Sequence, residues 1–293
     1  MNGDPSSKRM ITNNSSTSLA EALGYREKEI LSYLYLGRAK WENLIKTIRA
    51  QEQAQSAGFN DEQVWTFLIG CGYALCGEAG IRKLARILTG SDQAKPLLNK
   101  ILFEFLPLPP RRGEGKTSID LALGTISCRK QTKGGIQLDD SEQTWICFCE
   151  MKYNSDISSG TTHDSKRNQF LRVIENALCF QNSGGYANKV FVTLVTPDVF
   201  RYAKLKSRLY QYKYEAYKND PTRIIGDLQE CSLMHRAQTN WHYPTDIVRR
   251  IENLSLNWVT YEELLTHLPC PEEPLNSGIL SKLRRFCSIT GEQ

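Results

Sequence analysis

The sequence predicts an α/β protein: a mixed sheet flanked by helices, with an N-terminal α-helical domain before it and a C-terminal helical extension after it. Three observations carry the prediction. Apolar residues recur at helical spacing through the first hundred positions, a proline-rich break follows at 106–112, and strand-like runs then alternate with strong helix signals.

Residues 1–18 are polar and rich in Ser and Asn, have little to bury, and are expected to form a disordered arm. Residues 19–97 form the predicted helical domain. Apolar spacing predicts a helix over 29–48, Asp61 can cap one over 62–75, and helices over 81–88 and 96–105 follow.

Prolines at 107, 109 and 110 lack the amide donor a helix needs, so the pattern breaks there. The next domain is placed at 98–220. Strands are predicted over 117–128 and 144–152, with a polar turn at 133–141 between them, and over 189–196. Helices are predicted over 164–180 and 197–218, so the last strand is reached by a helical crossover. In the second helix Tyr202, Leu205, Leu209 and Tyr212 make a packing stripe among bases. Residues 221–293 read as short helices, the better ones at 247–253, 261–267 and 278–286.

At 293 residues with a formal charge of +5, the chain is ordinary for a globular protein and mildly basic, which permits a phosphate-bearing partner without demanding one. Nine cysteines, an odd number mostly inside apolar runs, read as buried reduced thiols and point to the cytoplasm. No stretch approaches the roughly 20 apolar residues of a membrane span, and residues 1–18 lack a signal-peptide core.

The chemistry lies in the strand ending at Lys152. Alternation puts Ile146, Phe148, Glu150 and Lys152 on one face, which begins apolar and ends charged. Asp120 is a similar anomaly, an acid among the apolar residues of the preceding strand. As hairpin neighbours, Asp120 and Glu150 approach each other, and such a pair repels unless a cation lies between them. Oxygen-only donors suit Mg²⁺ or Mn²⁺. The three side chains are expected to end in one water-accessible cleft.

Ile119-Asp120 followed by Glu150-Met151-Lys152, in a helix-strand-strand-helix-strand frame, resembles the PD-(D/E)XK superfamily of restriction-endonuclease-like nucleases over residues 98–196. Ile119 stands where the family has proline. The resemblance implies a restriction-endonuclease-like core and a Mg²⁺-dependent deoxyribonuclease. Asp120, Glu150 and the Met151 carbonyl would hold one or two ions and Lys152 would assist; Glu104 and Glu114 are the candidates for a second metal site, which the sequence leaves open. Residues 152–178 resemble bacterial nuclease domains that act in defence against foreign DNA.

In the exonuclease-like branch of the family a helix glutamine supports the catalytic lysine or the substrate, and Gln169 is similar in position, although Val173 replaces the tyrosine expected four residues later. Gln169 belongs to a polar stripe with Ser165, Arg172 and Asn176. Lys166, Arg167, Arg172 and Lys204 are the expected nucleic-acid contacts. DNA is the expected partner, with RNA, a homodimer and an activating protein left open.

Other motifs are weaker. Gly113 to Thr117 looks like the end of a P-loop, but Pro110 stands where its first glycine belongs. Cys231, His235 and His242, or Cys147, Cys149 and His163, lack paired zinc-ligand spacing, and no nucleophile elbow supports a serine triad. The rival reading is a restriction-like fold that binds nucleic acid or protein, with the charges serving structure.

Overall fold

The computed structural model describes residues 17–54, 59, 61–92, 100–130, 132–162, 164–202, 208–238, 241–269 and 273–290. The first elements are α1 (Leu19–Tyr25), α2 (Glu27–Tyr33), β1 (Leu34–Tyr35), α3 (Arg38–Gln53), α4 (Glu62–Ala74) and α5 (Gly77–Thr89). The middle holds β2 (Ile101–Phe105), β3 (Ile119–Gly124), β4 (Ile126–Cys128), β5 (Ile136–Leu138), β6 (Trp145–Met151), α6 (Gln169–Leu178), β7 (Lys189–Thr196), α7 (Asp198–Tyr202), α8 (Leu209–Asn219) and α9 (Thr222–Glu230). The last are β8 (Ala237–Gln238), β9 (Trp241–His242), α10 (Ile247–Ile251), β10 (Leu254–Thr260), α11 (Tyr261–Thr266) and α12 (Pro274–Thr290).

The result is a mixed α/β fold around a six-stranded sheet in the order β1-β2-β3-β6-β7-β10. The β2–β3 and β3–β6 pairs are antiparallel, whereas β1–β2, β6–β7 and β7–β10 are parallel. Strand β7 occupies 189–196 as expected, and α6 provides the crossover between β6 and β7. β4–β5 and β8–β9 form two small separate hairpins.

Alternation along β6 decides what covers each face. Trp145, Cys147, Cys149 and Met151 join a core built with α1 to α5, α11 and α12, while Ile146 and Phe148 join a second core with α6, α8 and α9. The N-terminal helices therefore share a continuous apolar core with one sheet face. At Gly124 the chain leaves β3 for β4 with φ +131°, and a Cβ there would lie 2.3 Å from the Trp145 carbonyl oxygen. Only glycine permits this approach.

Several elements differ from expectation. The helix expected over 29–48 is split at residues 34–37, where β1 adds to the sheet and Gly37 takes an extended conformation ahead of α3. Residues 101–105, expected to be helical, form β2: the apolar run Ile-Leu-Phe fits a strand buried on both faces as well as it fits a helix. Residues 93–99 lie outside the described residues, as do 1–16 of the expected arm.

Helix α6 starts at Gln169, five residues later than expected, because the Asn168 side chain caps it by accepting from the Leu171 amide. The long helix expected over 197–218 is seen as α7 and α8, with residues 203–207 outside the description. Its buried residues are Phe200, Tyr210 and Tyr217; of the expected stripe Leu209 packs against the core, Tyr202 and Tyr212 are exposed, and Leu205 falls outside the described residues. Residues 254–260, expected within a helical extension, form β10 at the sheet edge. Among the described residues no helix is long and apolar enough to cross a membrane.

Candidate active site

The β3–β6 ladder pairs Leu121 with Cys149, so continuing its register by one residue sets Asp120 opposite Glu150. Opposed residues of antiparallel strands share a face. Beyond this point the ladder opens, and the Asp120 carboxylate takes over as acceptor: its Oδ2 receives the Met151 amide at 2.8 Å. The carbonyl of a strand residue points to the same side as its N–H, so the Met151 carbonyl also faces β3.

Lys152 follows directly. Its Nζ lies 2.9 Å from Glu150 Oε1 and donates at 3.0 Å to Glu62 Oε1. Glu62 stands in the first turn of α4, whose entry is fixed by Asp61 accepting from the amides of Gln63 and Val64, the cap expected from the sequence. Glu62 Oε2 accepts from the Ser155 hydroxyl at 2.9 Å, which holds the loop after β6 against the helix. Glu62 is the member of the cluster that sequence reasoning missed. An acid in the first turn of a helix is ordinary, and nothing local tied position 62 to position 152.

The electrostatics follow from the packing. Burial, and then the Glu150 charge, push the Asp120 carboxyl well above its usual range. Burial raises Glu150 too, although Lys152 and Arg172 pull the other way. For Lys152, burial disfavours the charge, but Glu150, Glu62 and Asp120 outweigh it and hold the ammonium above the ordinary lysine range. Lys152 is thus a fixed cation.

Glu150 and Lys152 are almost fully buried, and the cluster meets solvent through Asp120 and Glu62, so the expected open cleft is not seen around all three predicted side chains. Several buried polar atoms near it lack a directed hydrogen bond. They are Glu150 Oε1 beyond its ion contact, Arg172 Nε, whose charge acts on Glu150, and the hydroxyl of Tyr210, which lies within electrostatic reach of Lys152. Such orphans mark places where a water, ion or ligand belongs. Tyr210 is set there by Asp156, which accepts from the Leu209 and Tyr210 amides and so caps α8 from outside the helix.

Other predicted residues fall apart from this centre. Glu104 is paired with Lys40 at 2.7 Å and adopts φ +54°, which disturbs the alternation of β2. Glu114 is held by Arg167 Nη1 at 2.9 Å. Neither completes a second metal site. Arg167 is wholly buried between Glu114 and Glu175 and presents nothing to nucleic acid. Lys166 is exposed, whereas Lys204 and His163 lie outside the described residues. In the polar stripe, Ser165 precedes the helix, Asn176 is buried and donates to the Arg172 carbonyl, and Gln169 is half-buried.

No group of three or more His, Cys, Asp and Glu side chains able to hold a metal occurs among the described residues. A cation here would rest on Asp120, Glu150 and the Met151 carbonyl, which suits Mg²⁺, an ion that keeps several of its waters. Family models, curated proteins and solved structures were compared with the chain, and none matches.

Proposed function

We propose that the chain is a Mg²⁺- or Mn²⁺-dependent nuclease of the PD-(D/E)XK, restriction-endonuclease-like type, hydrolysing phosphodiester bonds of DNA. The observation that carries this reading is the opposition of Asp120 and Glu150 where the β3–β6 ladder opens, with the Lys152 ammonium against Glu150. Two adjacent acids that repel each other, one buried and one at the solvent edge, are an unfavourable arrangement for structure alone and a favourable one for a divalent cation.

Asp120, Glu150 and the Met151 carbonyl would hold the ion, which supplies Lewis-acid activation of water when bound. Lys152, kept cationic by three acids, stabilises negative charge on the phosphate rather than removing a proton from water. Glu62 and Glu150 fix its ammonium. Arg172, with its unpartnered Nε, is the cation best placed to meet a phosphate oxygen, and Gln169 stands one turn earlier on the same helix. The free, mostly buried thiols fit a cytoplasmic setting. Defence against foreign DNA rests on the resemblance of residues 152–178 alone.

The test is incubation of the full chain with circular and linear DNA in Mg²⁺, Mn²⁺ or EDTA. Metal-dependent cleavage is expected, with Glu150→Gln and Lys152→Ala each abolishing it in folded protein. Cleavage that persists in either variant would remove the assignment. A second reading, a binding module with a structural ion cluster, draws on one observation: Lys152 is already satisfied by Glu150 and Glu62. It predicts no cleavage and no response to metal.

A further inference from the structure

A cavity of about 660 Å³ lies at the other end of α6 from Glu150. Arg172, near the start of the helix, acts on Glu150, whereas Cys179 and Phe180, just past its end, line the cavity. The seven residues from Arg172 to Cys179 separate the two places by roughly 10 Å along the helix axis. The remaining walls come from the two small hairpins: Arg129 and Gln137 from β4–β5, Gln238 and Trp241 from β8–β9.

These walls are held in place by side chains whose hydrogen bonds are already used. Gln181 donates to the Cys179 and His242 carbonyls and accepts the His242 amide, which ties β9 to the end of α6. Asn182 donates to the Asp139 carbonyl and, at 2.6 Å, to Asp140 Oδ1. Asp140, the acid in the lining, is thus engaged.

Arg129 is not. Its Nε is buried with no hydrogen-bond partner, and among the described residues no carboxylate pairs with it. Burial first, and then the Arg236 guanidinium, disfavour its charge. Arg236 itself is committed to the Pro109 carbonyl through Nε. A partly buried cation within electrostatic reach of a second cation is stabilised by an anion. Trp241 and Phe180 add planar apolar surface in the same space, and the Gln137 and Gln238 amides offer both donors and acceptors.

We propose that this cavity binds a nucleotide unit, with its phosphate at Arg129 and its base against Trp241 beside Gln137 and Gln238. A mononucleotide fits the volume, which is within the roughly 300–1,000 Å³ of small-molecule sites. The proposal goes beyond the nuclease reading and does not depend on it. The unit is either a free nucleotide or one nucleotide of a bound strand, recognised by the same groups in both cases.

The experiment is isothermal titration of the full chain, in EDTA, with AMP, GMP, CMP and UMP, with inorganic phosphate, and with a single-stranded DNA hexamer. Binding of at least one monophosphate more tightly than inorganic phosphate assigns a free nucleotide. Binding of the hexamer without the monophosphates assigns a nucleotide within a strand. In either case Arg129→Gln should weaken binding at least tenfold with an unchanged melting temperature, and Gln238→Ala, at an exposed position, should weaken it without affecting folding. Silence with every probe, or binding that both variants leave unchanged, overturns the proposal. Repeating the titration in Glu150→Gln, where cleavage is absent on the nuclease reading, separates a failed nucleotide site from a failed active site.

Discussion

Helix α6 touches two charged clusters, one through Glu175 and one through Arg172, and they are built on opposite principles. Glu114, Arg167, Glu175 and Arg111 alternate in sign, so each acid lies against a base and the sum is zero. Its outer valences are also filled, as Arg111 donates to the Leu228 and Leu233 carbonyls and Glu175 accepts from the Tyr243 hydroxyl. Its donors left without a directed hydrogen bond are Arg167 Nε and, beyond its ion contact with Glu175, Arg167 Nη2. At the other group three acids, Asp120, Glu150 and Glu62, act on the ammonium of Lys152, and with Arg172 acting on Glu150 the acids still outnumber the bases. The first cluster is balanced within itself, whereas the excess of acids in the second is what the proposed divalent cation would offset.

The comparison is most exposed to a stability measurement. Glu175→Gln should cost about 3–5 kcal/mol, because it strands Arg111 in the interior and leaves Arg167 with Glu114 alone, whereas Glu150→Gln removes a repulsion along with an ion contact and should change the urea midpoint far less. If both variants fall equally, the centre is structural too.

Next in size is the response to metal. A saturating divalent ion should stabilise the wild type by about 2.7 kcal/mol at a hundredfold excess over its dissociation constant, seen as a higher melting temperature in Mg²⁺ than in EDTA. Glu150→Gln should lose that gain, and Glu175→Gln should keep it even though it melts lower. A metal response shared by all three proteins would place the ion elsewhere.

A smaller effect is expected with pH. Asp120 and Glu150 have raised carboxyl values, so each binds its proton more readily folded than unfolded. The stability of the metal-free protein therefore falls as pH rises from about 4 through the raised folded values. Asp120→Asn should flatten this slope by at most about 1.4 kcal/mol per pH unit. Glu262, pushed up to about 7 by burial, contributes to both proteins and cancels in the difference. Urea titrations in EDTA at pH 5 and pH 7 measure it, and identical slopes would show that Asp120 ionises freely.

The smallest contrast is within α6. Asn176, buried with its amide on the Arg172 carbonyl, should cost about 1 kcal/mol as alanine, while half-buried Gln169→Ala should stay within about 0.5 kcal/mol and yet reduce cleavage more. Equal cleavage losses in the two variants would leave Gln169 no role at the centre.

What could be read from the chain alone was the part set by short-range periodicity. The face alternation at 145–152 put Glu150 and Lys152 on one side, and an acid inside an apolar strand singled out Asp120. The strand at 189–196 was legible because it is apolar on both faces. Glu62, Tyr210 and Asp156 were not legible, because their meaning depends on contacts made across 90 residues in one case and through an external helix cap in the other. Arg167 misled for a related reason: a basic residue beside a predicted site reads as a phosphate contact until Glu114 and Glu175 are seen closing around it. Strand β10 was hidden because Leu-Ser-Leu-Asn-Trp is a short alternation lying between two helix signals.

The packing of α1 on α12 has a consequence for how the molecule comes into being. Leu19 and Leu23 share one core with Ile279 and Leu283, so the apolar side of the first helices has no complete cover until the chain has been synthesised almost to residue 283. Loop closure over some 260 residues adds little to the entropic cost of a shorter loop, since that cost grows only with the logarithm of length. The delay during synthesis is another matter: at ~5–20 residues per second the early helices wait many seconds with apolar surface uncovered. In that interval Glu62 also has no Lys152 to meet, and the acid centre first takes shape when the middle of the chain arrives.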